Sequence, residues 1–237
     1  MKKRVYISSI IAAIGLSSSI AMAEVNTFSF KKGEMMCLVS SIEYPNSSSD
    51  KQLFFSSLFP IYQSENVKVI GALKVEKVLA GEHDIPNISL VRMPNREAKS
   101  RLDSRAAEWK DAREKTADIW KEKRQIEFEL SEGKSFVFDS KKYYQLEAFW
   151  VKAEKLDDFQ DYLDDSLVRV AKQGGKRIHQ FGSPYGYSTL GMERAPDFYL
   201  ISEWKSMKEF NQFWTNAERF KYLSGYNSWL TSIPEGI

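Results

Sequence analysis

Apolar and polar residues alternate along this chain in two periods, and the switches between periods mark its elements. After a polar lead-in, Glu34 to Tyr44 follows a strand pattern. Ser49-Asp50-Lys51-Gln52 then has the Ser-x-x-Gln spacing of a helix start. The helix it opens carries Phe54, Leu58, Ile61 and Tyr62 on one side, and Pro60 is expected to bend or end it. Val67, Val69, Gly71, Leu73 and Val75 alternate as a strand. Gly81 to Pro86 is a turn, and Ile88 to Met93 is a further strand. Asn95 is placed to cap a long charged helix with apolar positions at Ala98, Leu102, Ala106, Trp109 and Trp120. Ile126, Phe128 and Leu130 then close a β-α-β-β-α-β series.

The series repeats. Tyr144, Leu146, Ala148 and Trp150 alternate as a strand, and Leu156, Phe159, Leu163, Leu167 and Val170 form a helical stripe that Gly174-Gly175 ends. A strand follows around Arg177 to Phe181, then a loop, then the strand Phe198 to Trp204. Ser206-Met207-Lys208-Glu209 reads as a capping box for a helix with Met207, Phe210, Phe213, Ala217, Phe220 and Leu223 on one face. Trp229 to Ile233 supplies the last strand. Pro86 and Pro196, Leu90 and Leu200, and Val91 and Ile201 correspond at a spacing of 110 residues. Between the copies, Phe136-Val137-Phe138 is too apolar for a free linker and is expected to pair or pack.

A β-α-β-β-α-β unit is the ferredoxin-like arrangement, whose antiparallel sheet has helices on one face only. Two copies in tandem can cover each other's open face. The fold class expected is therefore α+β, two tandem ferredoxin-like units forming a pseudo-dimeric α/β barrel. Its divisions are a leader at 1–23, a first unit at 24–131, a join at 132–142 and a second unit at 143–237.

Composition alters this picture in three places. Lys2, Lys3 and Arg4, a short apolar run and Ala21-Met22-Ala23 have the form of a signal peptide cut between Ala23 and Glu24. A periplasmic or secreted protein is expected, with no membrane association after cleavage. Removing that leader turns 34 basic residues against 32 acidic into 31 against 32, so no nucleic-acid partner is expected. Cys37 is the single cysteine, inside the apolar run MMCLVSSI, and reads as a buried inert thiol. Stability must then come from a hydrophobic core, which 43% hydrophobic residues can supply.

The junction FYLISEWKSMKEFNQFW, the pair Gly174-Gly175 and the helix end AERFKYL carry a resemblance. Residues 143–237 resemble the dimeric α/β-barrel superfamily, in particular its DUF1330-like and monooxygenase-like branches; the first copy resembles it more loosely. The superfamily includes cofactor-independent oxygenases, haem enzymes, small isomerases and lyases. The resemblance therefore implies a fold and leaves haem open, while the residues themselves call for no cofactor.

Chemical signals are sparse. The two histidines, His83 and His179, lie in different copies, and no spacing suits a metal site. His179 shares its expected strand face with Arg177 and Phe181 and is the one catalytic candidate, as proton acceptor or haem ligand, against a plain strand histidine. Gly182-Ser183-Pro184-Tyr185-Gly186 is neither a nucleophile elbow nor a phosphate loop, since a strand follows it. The segment HQFGSPYGYSTLGMERAP is either a binding loop carrying Tyr185, Tyr187 and Arg194 or a hairpin excursion onto the other copy. Trp150 and Trp204 are expected at a pocket or in the core; Glu147 and Glu203 would be proton acceptors if buried, but ordinary surface alternation explains both.

The ligand-binding candidates are thus Trp150, His179, Tyr185, Tyr187, Arg194 and Trp204. Three functions fit: an accessory protein binding a small apolar or aromatic ligand, a cofactor-independent monooxygenase-like enzyme, or a structural, partner-binding pair of units. The absence of an acid and base at diagnostic spacing favours a non-enzyme. The chain is expected to be a pseudo-dimer by itself, with higher oligomers open.

Overall fold

A computed structural model describes residues 25–81, 84–189, 194–214 and 218–234. The expected leader and His83 lie outside the described residues. Along the chain run β1 (Val25–Phe30), β2 (Met35–Glu43), α1 (Ser48–Ser64), β3 (Lys68–Ala80), β4 (Asn87–Met93) and α2 (Arg96–Ser104). Short α3 (Lys110–Glu114) and α4 (Thr116–Ile119) lead into β5 (Trp120–Glu129), β6 (Lys134–Asp139) and β7 (Tyr143–Val151). Then come α5 (Leu156–Lys172), β8 (Gly175–Phe181), β9 (Gly186–Thr189), β10 (Phe198–Trp204), α6 (Met207–Trp214) and β11 (Leu223–Ser232).

Nine strands form one antiparallel sheet in the order β8-β10-β7-β11-β3-β4-β2-β5-β9. The run β11-β7-β10-β8 and the run β5-β2-β4-β3 have the same internal order relative to the chain. The two runs join twice. β11 pairs with the far half of β3, from Ser228 opposite Ala80 to Ser232 opposite Lys74. β9 pairs with β5, from Arg124 opposite Thr189 to Glu127 opposite Gly186. Of the two readings left open for the segment after Phe181, the excursion onto the other half is the one observed.

Strands β2, β4, β7 and β10 have one face toward the interior and one toward helices. Met36, Leu38, Leu90, Ile126 and Phe128 from the first half meet Tyr144, Leu146, Ala148, Phe181, Tyr199, Ile201 and Trp229 from the second in one buried cluster. On the other face, Met35, Cys37, Val91 and Met93 pack with Ile61 of α1 and Leu102 of α2. Phe149, Val151 and Leu200 pack with Phe159 and Leu163 of α5. Burial of Cys37 pushes its thiol pKa well up, in keeping with an inert core position.

β1 and β6 pair as a separate two-stranded ribbon. Its Phe30, Phe136 and Phe138 enter the shared interior, so the apolar join does pack as expected. The Tyr144 hydroxyl accepts from the Asp139 N–H at 2.5 Å and fixes the turn from β6 into β7.

Several local expectations change. α1 starts two residues earlier than the capping spacing suggests, and Ser47 Oγ donates to the Tyr44 carbonyl instead of accepting from the helix. Pro60 does not end α1, which continues to Ser64. Pro60 and Ser56 both face solvent, where water can take the carbonyl that proline leaves unbonded. Asn95 caps α2 as expected, its side chain accepting from the Ala98 N–H at 2.9 Å. The long charged helix, however, breaks after Ser104 into short turns, and Trp120 begins a strand. Ile119 and Trp120 are drawn down onto Phe54 and Leu58 of α1, a contact no unbroken helix from Asn95 would make.

Candidate functional site

Two hollows border the shared interior, and size separates them. The first is lined by Leu38, Arg124, Trp150, Tyr187, Tyr199 and Trp229, among others, and leaves about 10 Å³ for the centre of a water-sized sphere. That is room for about one water. The Arg124 guanidinium, 7% exposed, donates to the Asn227 side-chain oxygen at 3.0 Å with the amide turned to satisfy both its partners.

The second is a half-open cleft of about 200 Å³ where the end of β5 meets the end of β8. An engineered apolar cavity of about 150 Å³ holds a benzene ring, so this cleft takes a one- or two-ring molecule. Phe128 of β5 and Phe181 of β8 form its apolar wall, stacked with ring centroids 4.2 Å apart and planes at 25°. His179, Lys134 and Gln180 supply polar atoms, and Glu129 and Glu132 stand at the rim.

The His179 ring stands edge-on to Phe181, at 4.2 Å between centroids, and to Phe136 of β6, at 5.6 Å. Burial against these rings, and secondarily the Lys134 charge, lower its pKa to about 4. At neutral pH it is therefore a neutral imidazole able to accept a proton. In the unfolded chain the same group titrates near 6.5. As pH falls from about 6.5 toward 4, the unfolded chain binds a proton that the folded chain refuses, and folding loses stability. His179→Gln is expected to flatten that loss. Melting temperatures at pH 7 and 4.5 should lie closer together in the variant than in the parent chain; an unchanged gap would show that His179 is not the group responsible.

The structure disperses the other candidates. Trp150 and Tyr187 line the small interior hollow, and Tyr187 reaches it because β9 crosses onto β5. The Trp150 indole N–H donates to the Arg194 carbonyl at 2.6 Å. Arg194 points away from both hollows, its guanidinium on the Asp197 carboxylate at 2.8 Å and the Val151 carbonyl at 3.0 Å. Tyr185 is 47% exposed and lies under the Arg96 guanidinium, which also pairs with Glu129 of the cleft rim. Trp204 is fully buried on the opposite sheet face, against Phe210, Val170 and Leu230.

Arg177 does not share the face of His179. The β8–β10 register slips so that Ile201 faces His179 and Ser202 faces Arg177, leaving Ile178 as the extra residue of a bulge. Arg177 then turns toward α5 and donates to Ser202 Oγ at 3.0 Å and Ser166 Oγ at 3.1 Å.

Glu147, expected at the surface, is buried in an ion pair with Arg219 at 3.3 Å and accepts from the Tyr226 hydroxyl at 2.5 Å. Glu203 is partly exposed and pairs with Lys142 at 2.8 Å. Phe128, Phe181 and Lys134 were not singled out as site residues by sequence, where they carry only a strand period and a turn. Among the described residues, no three His, Cys, Asp or Glu side chains gather to hold a metal. The space before His179 suits one or two rings.

Comparison with known proteins identifies a fold. A crystal structure of an anthrone oxidase-like protein aligns with 88% of this chain and 94% of its own, at 14% identity and a TM-score of 0.53. A mutant chlorite dismutase from Candidatus Nitrospira defluvii aligns over 86% and 93% at 9% identity, with a TM-score of 0.46. The first likeness shows that the present chain has a mixed α+β, antiparallel fold like that of the anthrone oxidase-like protein. No family model matches the chain, and no curated protein matches it in sequence.

Proposed function

We propose that this chain binds a small aromatic molecule in the cleft between β5 and β8. In this reading, residues 24–131 and 143–237 are two tandem ferredoxin-like units of one pseudo-dimeric barrel, exported after cleavage between Ala23 and Glu24. The repeated strand order and the interior shared by both halves support the tandem reading. The wording of residues 198–223 supports the DUF1330-like and monooxygenase-like branches. One observation carries the binding assignment: about 200 Å³ of space lies beside a stacked aromatic pair and a neutral imidazole, at the seam of the two halves. A ring packs on Phe181, and its polar substituent meets His179 and Lys134.

The test is a melting-temperature screen against one- and two-ring phenols and aromatic carboxylates. A ligand at a hundred times its Kd adds about 2.7 kcal/mol, which raises Tm by roughly 5–10 °C for a chain of this size. Gly182→Phe adds a side chain where the backbone faces open space, and is expected to fill the cleft and abolish the shift. A screen with no saturable shift, or a shift equal in the filled variant, overturns the binding assignment and favours the structural, partner-binding function.

A second function, cofactor-independent oxygenation of such a ring compound, is favoured by one feature. The His179 imidazole is neutral and faces the cleft, where a proton acceptor is needed. Oxygen consumption with a stabilising phenol, lost in His179→Ala while binding persists, would select the enzyme over the binding protein.

A further inference from the structure

Lys123 lies on the face of β5 that the cleft does not use. Pairing of β5 with β2 sets Lys123 opposite Ser41, Gln125 opposite Val39 and Glu127 opposite Cys37, all toward the helices. Its ammonium nitrogen is 4.6 Å from the centroid of the Trp120 ring and 5.1 Å from that of Phe54 on α1. Both rings are buried, at 3% and 2% exposure, while Lys123 is only partly buried. Among the described residues, no carboxylate lies within ion-pair distance of this amine. By contrast, the Lys51 and Lys99 amines lie 2.6 and 2.7 Å from the carboxylates of Glu43 and Asp103.

Ring faces attract a cation, but they replace neither a carboxylate nor full hydration. The neutral form of Lys123 is thereby favoured. A neutral amine in an apolar setting is the nucleophile that condenses with carbonyl compounds. We propose that Lys123 is a reactive amine that forms an imine with small aldehydes. The amine lone pair attacks the carbonyl carbon and the carbonyl π pair moves to oxygen. Two protons pass from nitrogen to that oxygen, the C–O bond breaks, and water leaves as C=N forms. No oxidant or reductant is consumed.

Burial pushes the Lys123 ammonium down to about 8. Other charges around it do not undo this. Cys37 of β2 acts on it most, and burial holds that thiol protonated. On α1, Asp50 and Lys51 are engaged by Lys115 and Glu43. Asp118 of α4 is exposed, and Glu127 of β5 accepts from Gln125 Nε2 at 2.5 Å. At pH 7 roughly a tenth of Lys123 carries a free amine, against well under one in a thousand for an exposed lysine near 10.4.

The test incubates the full chain with benzaldehyde and sodium cyanoborohydride, which reduces the imine to a stable secondary amine, and maps labelled peptides by mass. At pH 7, Lys123 is expected to label at least tenfold faster than the exposed Lys68 and Lys172. Its rate should rise with pH to a midpoint near 8. Labelling of Lys123 no faster than Lys68, or a midpoint above about 9.5, overturns the proposal.

Discussion

Arg219→Met is expected to destabilise the chain by about 3–5 kcal/mol, because it strips the counter-charge from a buried carboxylate. The side chains of Arg219 and Glu147 are 3% and 4% exposed and 3.3 Å apart. Arg219 also donates to the Tyr226 hydroxyl at 3.1 Å. Burial alone would lower the Arg219 pKa, but Tyr226 and Glu147 outweigh it and hold the guanidinium charged. Removing it leaves Glu147 with the uncharged Tyr226 hydroxyl as hydrogen-bond donor and the Arg177 charge acting without a hydrogen bond. For a chain of this length the loss corresponds to roughly 6–20 °C in melting temperature. Urea unfolding followed by tryptophan fluorescence measures it. The double variant Glu147→Gln, Arg219→Met is expected to recover much of the loss, since neither charge remains buried. A single-variant cost below about 1 kcal/mol would mean that water reaches the pair.

Trp204→Ala is expected to cost a similar amount, about 3–5 kcal/mol, by emptying the space under α6. Trp204 is fully buried and meets Phe210 edge-on at 5.7 Å between centroids. Its ring also occupies the place a side chain at residue 175 would need, since a Cβ on Gly175 would lie 2.6 Å from the indole. The preceding Gly174 takes φ of +80° and turns the chain out of α5. The glycine pair thus ends the helix and admits the tryptophan. The same substitution separates core from site: ligand affinity in the β5–β8 cleft should not change in whatever fraction of Trp204→Ala remains folded. A loss of affinity in that folded fraction would return Trp204 to the candidate ligand residues.

How far the chain is legible from its letters depends on the distance over which each feature is decided. Most strand and helix periods of both halves survive in the structure, although the helix from Asn95 breaks and β11 already begins at Leu223, expected on the last helix; the Asn95 cap and the Ser206 cap, whose hydroxyl accepts from the Glu209 N–H at 3.2 Å, survive too. These features involve residues within one turn or one strand, where spacing alone decides which groups can meet. β1 was hidden in a polar lead-in because Val25, Thr27 and Ser29 face outward, and only its pairing with β6 makes it a strand. Glu147 was misplaced because alternation says which face a residue is on, not that α5 and residues 218–222 will cover that face.

The cleft lies at the far end of that scale. Phe128 and Phe181 stack, although 52 residues of chain separate them, only because the two halves close on each other. A single extra residue in β8 turns Arg177 away from His179, and strict alternation cannot register it. The letters carry strands with an apolar front in each half and helices with an apolar stripe to cover a back. Tertiary structure alone decided what lies between the fronts: a packed aromatic interior with room for about one water, and a wider cleft at its margin. Side-chain period sets the direction of each residue, whereas free volume is what remains after distant residues have packed, and no local pattern encodes that remainder.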